Sequence, residues 1–297
     1  MKTKLIVNPQ AGSGRAERLI TPVIDRLKGM GHSVEFANTS KPGDGIRLAK
    51  EAVKQGYEMI IAGGGDGTLN EVINGIVGSD AILGVIPMGT VNVFCQETGI
   101  GLDSLSACDV IEEGEVKKID LGKAGDRYFI LCAGIGFDAH VVSELKPQFK
   151  RIMGAVAYPL SGLKSLFSWK PTKMLIQVDD QPIKRKGFLA VVGNISSYAG
   201  PEISVTPLAS LDDGWLDLCI FKKRTTLDII RYVLGVLFRR HTEFEDIEYF
   251  KAKYVKIEAE RPVLVHTDCE VIGEVPMEFS IVPKALSVLL PQRKKEG

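Results

Sequence analysis

Three consecutive glycines, an aspartate, a further glycine and a threonine occupy Gly63 to Thr68, directly after the apolar run Met59 to Ala62. Glycine lets a backbone take positive φ and come close to a ligand. Exposed N–H groups in such a turn form a nest for anions, and a helix that starts there adds the positive end of its dipole. One helix terminus contributes only about 0.3–1 kcal/mol toward an anion, so a chain of phosphates needs several such donors. Two more glycine-bearing turns qualify: NPQAGSG, Asn8 to Gly14, and PMGTVN, Pro87 to Asn92. Either of these alone is equally well a plain turn, but a bare turn seldom needs three glycines in a row plus a carboxylate. Asp66 beside phosphate would be repulsive without a cation between them, so the loop implies Mg²⁺.

Two familiar nucleotide signatures are absent. No Gly-Lys-Ser/Thr follows a glycine loop, which excludes a P-loop NTPase. The dinucleotide pattern Gly-x-Gly-x-x-Gly fails because position 70 is Asn. The chain has 297 residues, 37 Lys plus Arg and 37 Asp plus Glu, so its formal net charge is zero. That balance argues against a nucleic-acid partner. Cys95, Cys108, Cys132, Cys219 and Cys269 have neither an even count nor zinc-site spacing, which suggests free thiols in a reducing cytosol. His241 and His266 have no partner at ligand spacing and read as non-metal residues. No apolar stretch reaches the roughly 18 residues of a spanning helix, and the first apolar run is too short for a signal peptide. The expectation is a cytoplasmic protein that meets a membrane, if at all, from its inner face.

The elements that must position the loops come from periodicity. Strands are expected at Leu5–Val7, Val34–Ala37, Met59–Ala62 and Ile82–Ile86. Helices are expected around Leu19–Leu27, Ile46–Val53 and Thr68–Val77. Alternating strands and helices make a parallel α/β sheet, with ligands beyond the carboxyl ends of its strands. From about Asp126 the texture turns to strands such as YFILCAG, KMLIQVDD, GFLAVVGN, WLDLCIF and PVLVHTD, an antiparallel β domain. Helices interrupt it at 148–166 and at Thr226–Arg239, the latter expected to pack in the core. Lys146 to Lys173 holds six basic residues, no acidic ones and interleaved apolar residues. This segment is either a membrane-surface contact or a solvated cover of the β domain.

GGGDGTLNEVING resembles the signature of the diacylglycerol kinase catalytic domain, a family that includes bacterial lipid kinases and the sphingosine and ceramide kinases. NPQAGSG and PMGTVN are similar to its other nucleotide loops. GIGFDA (Gly134–Ala139), VGNISSYAG (Val192–Gly200), LDDGWLD (Leu211–Asp217) and HTDCE (His266–Glu270) follow in the family's order. The resemblance implies an α/β nucleotide-binding domain, 1–122 with 284–297 returning to it, and a β-sandwich domain for the lipid, 123–283. It implies ATP contacts at Asn8, Pro9, Gln10, Ala11, Gly12, Thr39, Gly64, Gly65, Asp66, Gly67, Thr68, Leu69, Asn70 and Thr90. It implies a metal site at Asp213 with the backbone carbonyls of Ser210 and Trp215, and Glu270 as general base beside a catalytic Asp66. Two departures stand out. Val93 replaces a frequent aspartate, and Cys269 replaces the glycine of Asp-Gly-Glu, which raises the question of how Glu270 is presented.

These readings converge on an ATP- and Mg²⁺-dependent kinase of a lipid hydroxyl, with a diacylglycerol-like acceptor. An NAD kinase shares a similar GGDGT loop, and a non-catalytic nucleotide sensor would need Asp66 but not Glu270. Partners follow from the first reading: a lipid substrate, a peripheral membrane surface, and an oligomeric state compatible with a homodimer.

Overall fold

A computed structural model describes residues 1–144, 172–198, 200, 203–223 and 225–292. The expected helix over 148–166 and nearly all of the basic segment 146–173 lie outside the described residues. The chain divides into two compact units, Met1–Ile119 with the chain from Lys284 onward, and Asp120–Pro283.

The first unit is a parallel α/β layer. Strands β1 (Lys2–Val7), β2 (Ser33–Asn38), β3 (Met59–Gly64) and β4 (Ile82–Pro87) alternate with helices α1 (Arg15–Gly29), α2 (Asp44–Lys54) and α3 (Asp66–Ile76). The strand order is β2-β1-β3-β4, and the pairings are parallel. After β4 come α4 (Val93–Glu97) and α5 (Ser106–Glu113). Every residue of β3 is buried, as an interior parallel strand requires. Leu5, Ile60, Ile61 and Leu83 are fully buried there, each worth roughly 1.5–3 kcal/mol relative to exposure.

Helix α3 begins two residues before the expected Thr68, because Gly65 stays extended and Asp66 already takes helical geometry. Helices α2 and α3 cross closely. A Cβ on Gly75 would lie 2.5 Å from Ala49 Cβ, so only glycine permits the approach. Glu71 on α3 then accepts from the N–H groups of Gly43 (2.8 Å) and Gly45 (2.7 Å), locking the start of α2.

The second unit is antiparallel. It opens with the later part of β5 (Glu115–Ala124), from Asp120 on, in a hairpin with β6 (Arg127–Phe129), followed by β7 (Cys132–Gly136), α6 (Phe137–Glu144), β8 (Thr172–Val178), β9 (Gln181–Gly187) and β10 (Leu189–Gly193). Then come β11 (Leu216–Phe221), α7 (Thr226–Leu237), β12 (Ile247–Ala252), β13 (Tyr254–Ala259), β14 (Leu264–Thr267), β15 (Glu270–Glu274) and β16 (Met277–Leu290). One sheet runs β12-β11-β10-β7-β14-β15. A second pairs β9 with β8, β8 with β13, and β13 with Met277–Ser280 of β16. Their inner faces share one core that includes Ile135, Val192, Leu218, Ile176, Val255 and Phe279. The later half of β16 belongs to the first unit, where Ser287 and Val288 pair in parallel with Ile82 and Leu83 of β4.

Helix α7 corrects one expectation. Its start is fixed by a capping box between Thr225 and Asp228, and Tyr232 and Val236 anchor it. Leu227, Ile230, Val233, Leu234 and Leu237, expected in the core, are exposed. The segment is apolar around most of its circumference, so packing one face leaves another in solvent. Among the described residues, no helix is long and apolar enough to cross a membrane.

Candidate functional site

In the first unit the three glycine loops meet backbone to backbone at the carboxyl ends of β1, β3 and β4. Asn8 N–H donates to Gly63 O at 3.0 Å, and Met88 and Gly89 N–H donate to Gly64 O at 2.9 and 3.1 Å. Gly12, at φ +58, would push a Cβ to 2.6 Å from Met88 O. A Cβ on Gly89 would sit 2.5 Å from Gly65 Cα and 2.6 Å from Asn92 Oδ1. The glycines are therefore needed first for the loops to touch each other. Asn92, left-handed at φ +54, closes its own turn by exchanging amide bonds with Gly89 at 3.0 and 3.1 Å. Arg15 Nη2 donates to Gly89 O at 3.3 Å from the start of α1.

Asp66 has a defined role in this assembly. Its two carboxylate oxygens accept the N–H groups of Val93 (3.1 Å) and Phe94 (3.2 Å), at the start of α4. The carboxylate thus ties the second loop to the third. Val93 acts there through its backbone, so an aspartate side chain at that position is not needed for the bond. The first turn of α3, from Asp66, carries N–H groups that no helical acceptor can reach. Gly67 and Thr90 are exposed, whereas Thr68, Leu69 and Asn70 are buried. Asn70 accepts from Asn74 Nδ2 through its carbonyl at 2.9 Å. In the first loop Gln10 is exposed and Pro9 and Ala11 are partly buried, and Gln10 N–H donates to Asn8 Oδ1 at 3.0 Å. Thr39 N–H donates to Val7 O at 2.8 Å, just ahead of a turn in which Asp44 accepts from Ser40 Oγ (2.7 Å), Ser40 N–H (2.9 Å) and Lys41 N–H (3.2 Å). Those bonds, the Ser40 hydroxyl foremost, hold the Asp44 carboxyl far below the usual carboxylate range.

In the second unit, the two residues between β14 and β15 are Asp268 at φ +46 and Cys269 at φ +65. Thr267 and Glu270 pair directly across them, which makes a two-residue hairpin with both loop residues left-handed. Asp268 is buried and accepts from Ile130 (2.9 Å), Leu131 (3.0 Å) and Cys132 (3.1 Å) N–H. Cys269 therefore adopts the conformation a glycine would prefer, and Glu270 pairs with Thr267 across the turn. Glu270 is half exposed and bonds Arg127 Nη2 at 2.5 Å.

The LDDG turn is also tied down. Asp120 N–H donates to Leu211 O at 2.6 Å, and Gly214 N–H to Asp120 Oδ2 at 2.7 Å. Asp213 accepts from Trp215 N–H at 3.0 Å and from Lys251 Nζ at 2.6 Å, and Ser210 Oγ donates to Asp212 at 2.8 Å. The bond to Asp213 raises the Lys251 ammonium above its ordinary value. A carboxylate with the carbonyls of Ser210 and Trp215 is an all-oxygen donor set of the kind Mg²⁺ takes. The Asp213 carboxylate is paired with the Lys251 ammonium, which a metal ion would have to displace.

Three more motifs converge on one largely buried carboxylate. Asp138 of GIGFDA accepts from Tyr198 of VGNISSYAG and from His266 Nε2 of HTDCE, the latter at 2.5 Å. A Cβ on Gly134 would lie 2.0 Å from Asp138 Oδ2 and 2.3 Å from His266 Nε2, so glycine is needed beneath the pair. Burial opposes ionisation of Asp138, but His266 and the Tyr198 hydroxyl outweigh it and hold its carboxyl below the ordinary value. Burial, then the same carboxylate, pushes the Tyr198 phenol well up. His241 is elsewhere, buried, with Nε2 2.9 Å from Val205 O. Arg127, Asp120 and Lys251 escaped sequence reasoning because nothing local marks them. Asp268 and Tyr198 lay inside quoted motifs and could have been singled out.

Known proteins resemble the chain over both units. The family model described as the diacylglycerol kinase catalytic domain matches residues 2–124. The one described as the YegS C-terminal NAD kinase beta sandwich-like domain matches residues 132–290. The chain is 33% identical to the diacylglycerol kinase of Bacillus subtilis over 99% of this chain and 98% of that protein. A solved structure from Bacillus anthracis aligns at TM-score 0.83 and 27% identity, covering 97% of this chain and 95% of its own. A diacylglycerol kinase structure from the same organism aligns at TM-score 0.76 and 26% identity, covering 97% and 96%.

Proposed function

This chain belongs to the diacylglycerol kinase family, and on that premise we propose that it transfers the γ-phosphate of ATP to the hydroxyl of a diacylglycerol-like lipid, with Mg²⁺. The observation that carries the reading is the backbone contact of the three glycine loops at one edge of the parallel sheet, with Asp66 binding two of them together. Phosphoryl transfer asks a protein for positioning and charge neutralisation more than for covalent help. The N–H groups of the α3 first turn and the glycine loops supply donors for phosphate oxygens. Asn8 to Gly12, Thr39, Gly64 to Asn70 and Thr90 are the nucleotide contacts in this reading.

Asp213, with the carbonyls of Ser210 and Trp215, would hold a metal ion, and Asp66 keeps the second and third nucleotide loops together. The bound metal supplies neutralisation of the phosphate charge. Glu270 is the base: it takes the hydroxyl proton as the acceptor oxygen forms its bond to phosphorus and the ADP oxygen leaves. Arg127 orients Glu270 and balances its charge. The first unit is the nucleotide domain and the second the lipid domain.

The test is transfer of label from γ-labelled ATP across a panel of diacylglycerol, phosphatidylglycerol and a sphingoid base, with NAD as a soluble acceptor. Labelled lipid that requires Mg²⁺ is expected. Label on NAD alone would favour the second reading, an NAD kinase, for which the description of the matched β-sandwich model gives the specific support. Nucleotide binding with no labelled acceptor would leave a sensor.

A further inference from the structure

Strands β14 and β15 present Glu270, and their pairing is irregular at one place. Leu264 pairs with Glu274 and Val265 with Gly273, but His266 pairs with Val271 and Thr267 with Glu270. Ile272 is the extra residue of a β-bulge beside His266. Residues directly opposite share a face of the sheet, and alternate residues of a strand return to the same face. Regular alternation back from Gly273 would put Val271 on the face of Val265. The extra residue puts it on the face of His266 instead, and puts Glu270 on the face of Thr267. The bulge therefore decides the face from which Glu270 emerges, and a slip of one residue would reverse it.

A bulge disrupts the ladder locally, so the pairing beyond it needs another hold. The His266 side chain supplies one. Its Nε2 lies 2.5 Å from Asp138 Oδ2, and the hydroxyl of Tyr198 donates to the same oxygen. An ionised carboxylate only accepts, so the imidazole donates through Nε2. Asp138 is on α6, which follows directly on β7, and β7 pairs with the other edge of β14. The bond thus ties the bulged position to the strand that the bulge leaves regular. Stability alone does not account for this arrangement. The His266 side chain is 1% exposed, and its Nδ1 has no hydrogen-bond partner among the described residues. Buried ionic groups seldom outdo well-packed apolar residues in stability, and fixing a register is their best-attested use. Past His266, Asp268 anchors the turn through the N–H groups of Ile130, Leu131 and Cys132. The segment from bulge to turn is held at both ends.

We propose that His266, held by Asp138 and Tyr198, is a positioning residue for phosphoryl transfer: it pins the register of β14 against β15 and so aims the Glu270 carboxylate. The inference rests on the reading that Glu270 is the base.

Two amide side chains at position 266 test it. Glutamine carries its amide nitrogen near the place of Nε2 and can still donate to Asp138, whereas asparagine is too short. In His266→Asn, turnover in the label-transfer assay should fall by about 10²-fold, the effect of a misplacement near 1 Å. KM for ATP should stay at the wild-type value, and His266→Gln should recover most of the lost turnover. Combined with Glu270→Gln, His266→Asn should reduce turnover no further, because no base is left to misplace. Amide hydrogen exchange in His266→Asn should quicken from Thr267 to Val271 and stay unchanged in β8 and β13. Should His266→Asn fail to fold, Tyr198→Phe removes the other donor to Asp138 and carries the same comparisons. Wild-type turnover in His266→Asn would overturn the proposal. So would the same fractional loss in the Glu270→Gln background, which would mean that the histidine only stabilises the fold, or unchanged exchange in the hairpin. If the wild type phosphorylates no acceptor, the kinase reading fails, and hydrogen exchange still judges the register pin.

Discussion

Cys269→Gly should make the protein more stable, and the hairpin geometry gives the size. Cys269 sits at φ +65, the second of two left-handed residues between paired Thr267 and Glu270. A residue with a Cβ loses roughly 1–2 kcal/mol in that conformation relative to its preferred ones. Glycine removes that strain but loosens the unfolded chain, which offsets about 0.5–1 kcal/mol. The net expectation is a gain of about 0.5–1 kcal/mol, or roughly 1–4 °C in melting temperature for a unit of this size. Urea unfolding should show a higher midpoint with an unchanged slope. Cys269→Val, which adds a β-branch at the same positive φ, should move the midpoint down.

The neighbouring residue supplies the control. Asp268 is also left-handed, but its carboxylate receives three N–H groups. Asp268→Gly relieves the same backbone strain and strips those bonds, each worth roughly 1.5–3 kcal/mol to a charged group. It should therefore destabilise by about 3 kcal/mol or more. Glu270 keeps its register in Cys269→Gly, so lipid phosphorylation should stay near wild type. A less stable Cys269→Gly, or a silent Asp268→Gly, would refute the two-residue turn as the reason for this sequence.

Gly89→Ala places a Cβ 2.5 Å from Gly65 Cα, a contact no rotamer relieves; it should lower stability by about 1–3 kcal/mol and weaken nucleotide binding, both measurable by calorimetry. Glu270→Gln should leave nucleotide affinity unchanged and reduce turnover by roughly 10²–10⁴ in the label-transfer assay. Asp44, held far below the ordinary carboxylate value by its bonds to Ser40 and Lys41, binds a proton less tightly in the folded than in the unfolded state. Its stabilisation is therefore complete above the ordinary value of about 3.9 and is lost as pH falls below it. Asp44→Asn should be less stable than wild type at neutral pH, with the difference shrinking in acid-unfolding curves.

The local chemistry of this protein was set by sequence alone. The buried run Met59–Ala62, the alternation of strands with amphipathic helices, and three glycine-bearing turns are short-range patterns. Short-range patterns are what φ restrictions and hydrophobic periodicity encode. What those residues touch was decided only by the tertiary fold. The glycines of GGGDGT and PMGTVN looked like room for a ligand, yet Gly65 and Gly89 are first needed so that two backbones can pass. Asp66 looked like a metal carboxylate, and its observed bonds tie one loop to the next. Arg127 reaches Glu270 across 143 positions of sequence, and Tyr198 and His266 reach Asp138 from separate motifs. No local propensity carries such pairings, because a contact between distant strands depends on the register of every strand between them. Helix α7 makes the same point for packing. Its apolar residues promised burial, but burial also needs a partner surface, and in the fold Tyr232 and Val236 face one while Leu227 and Phe238 face solvent.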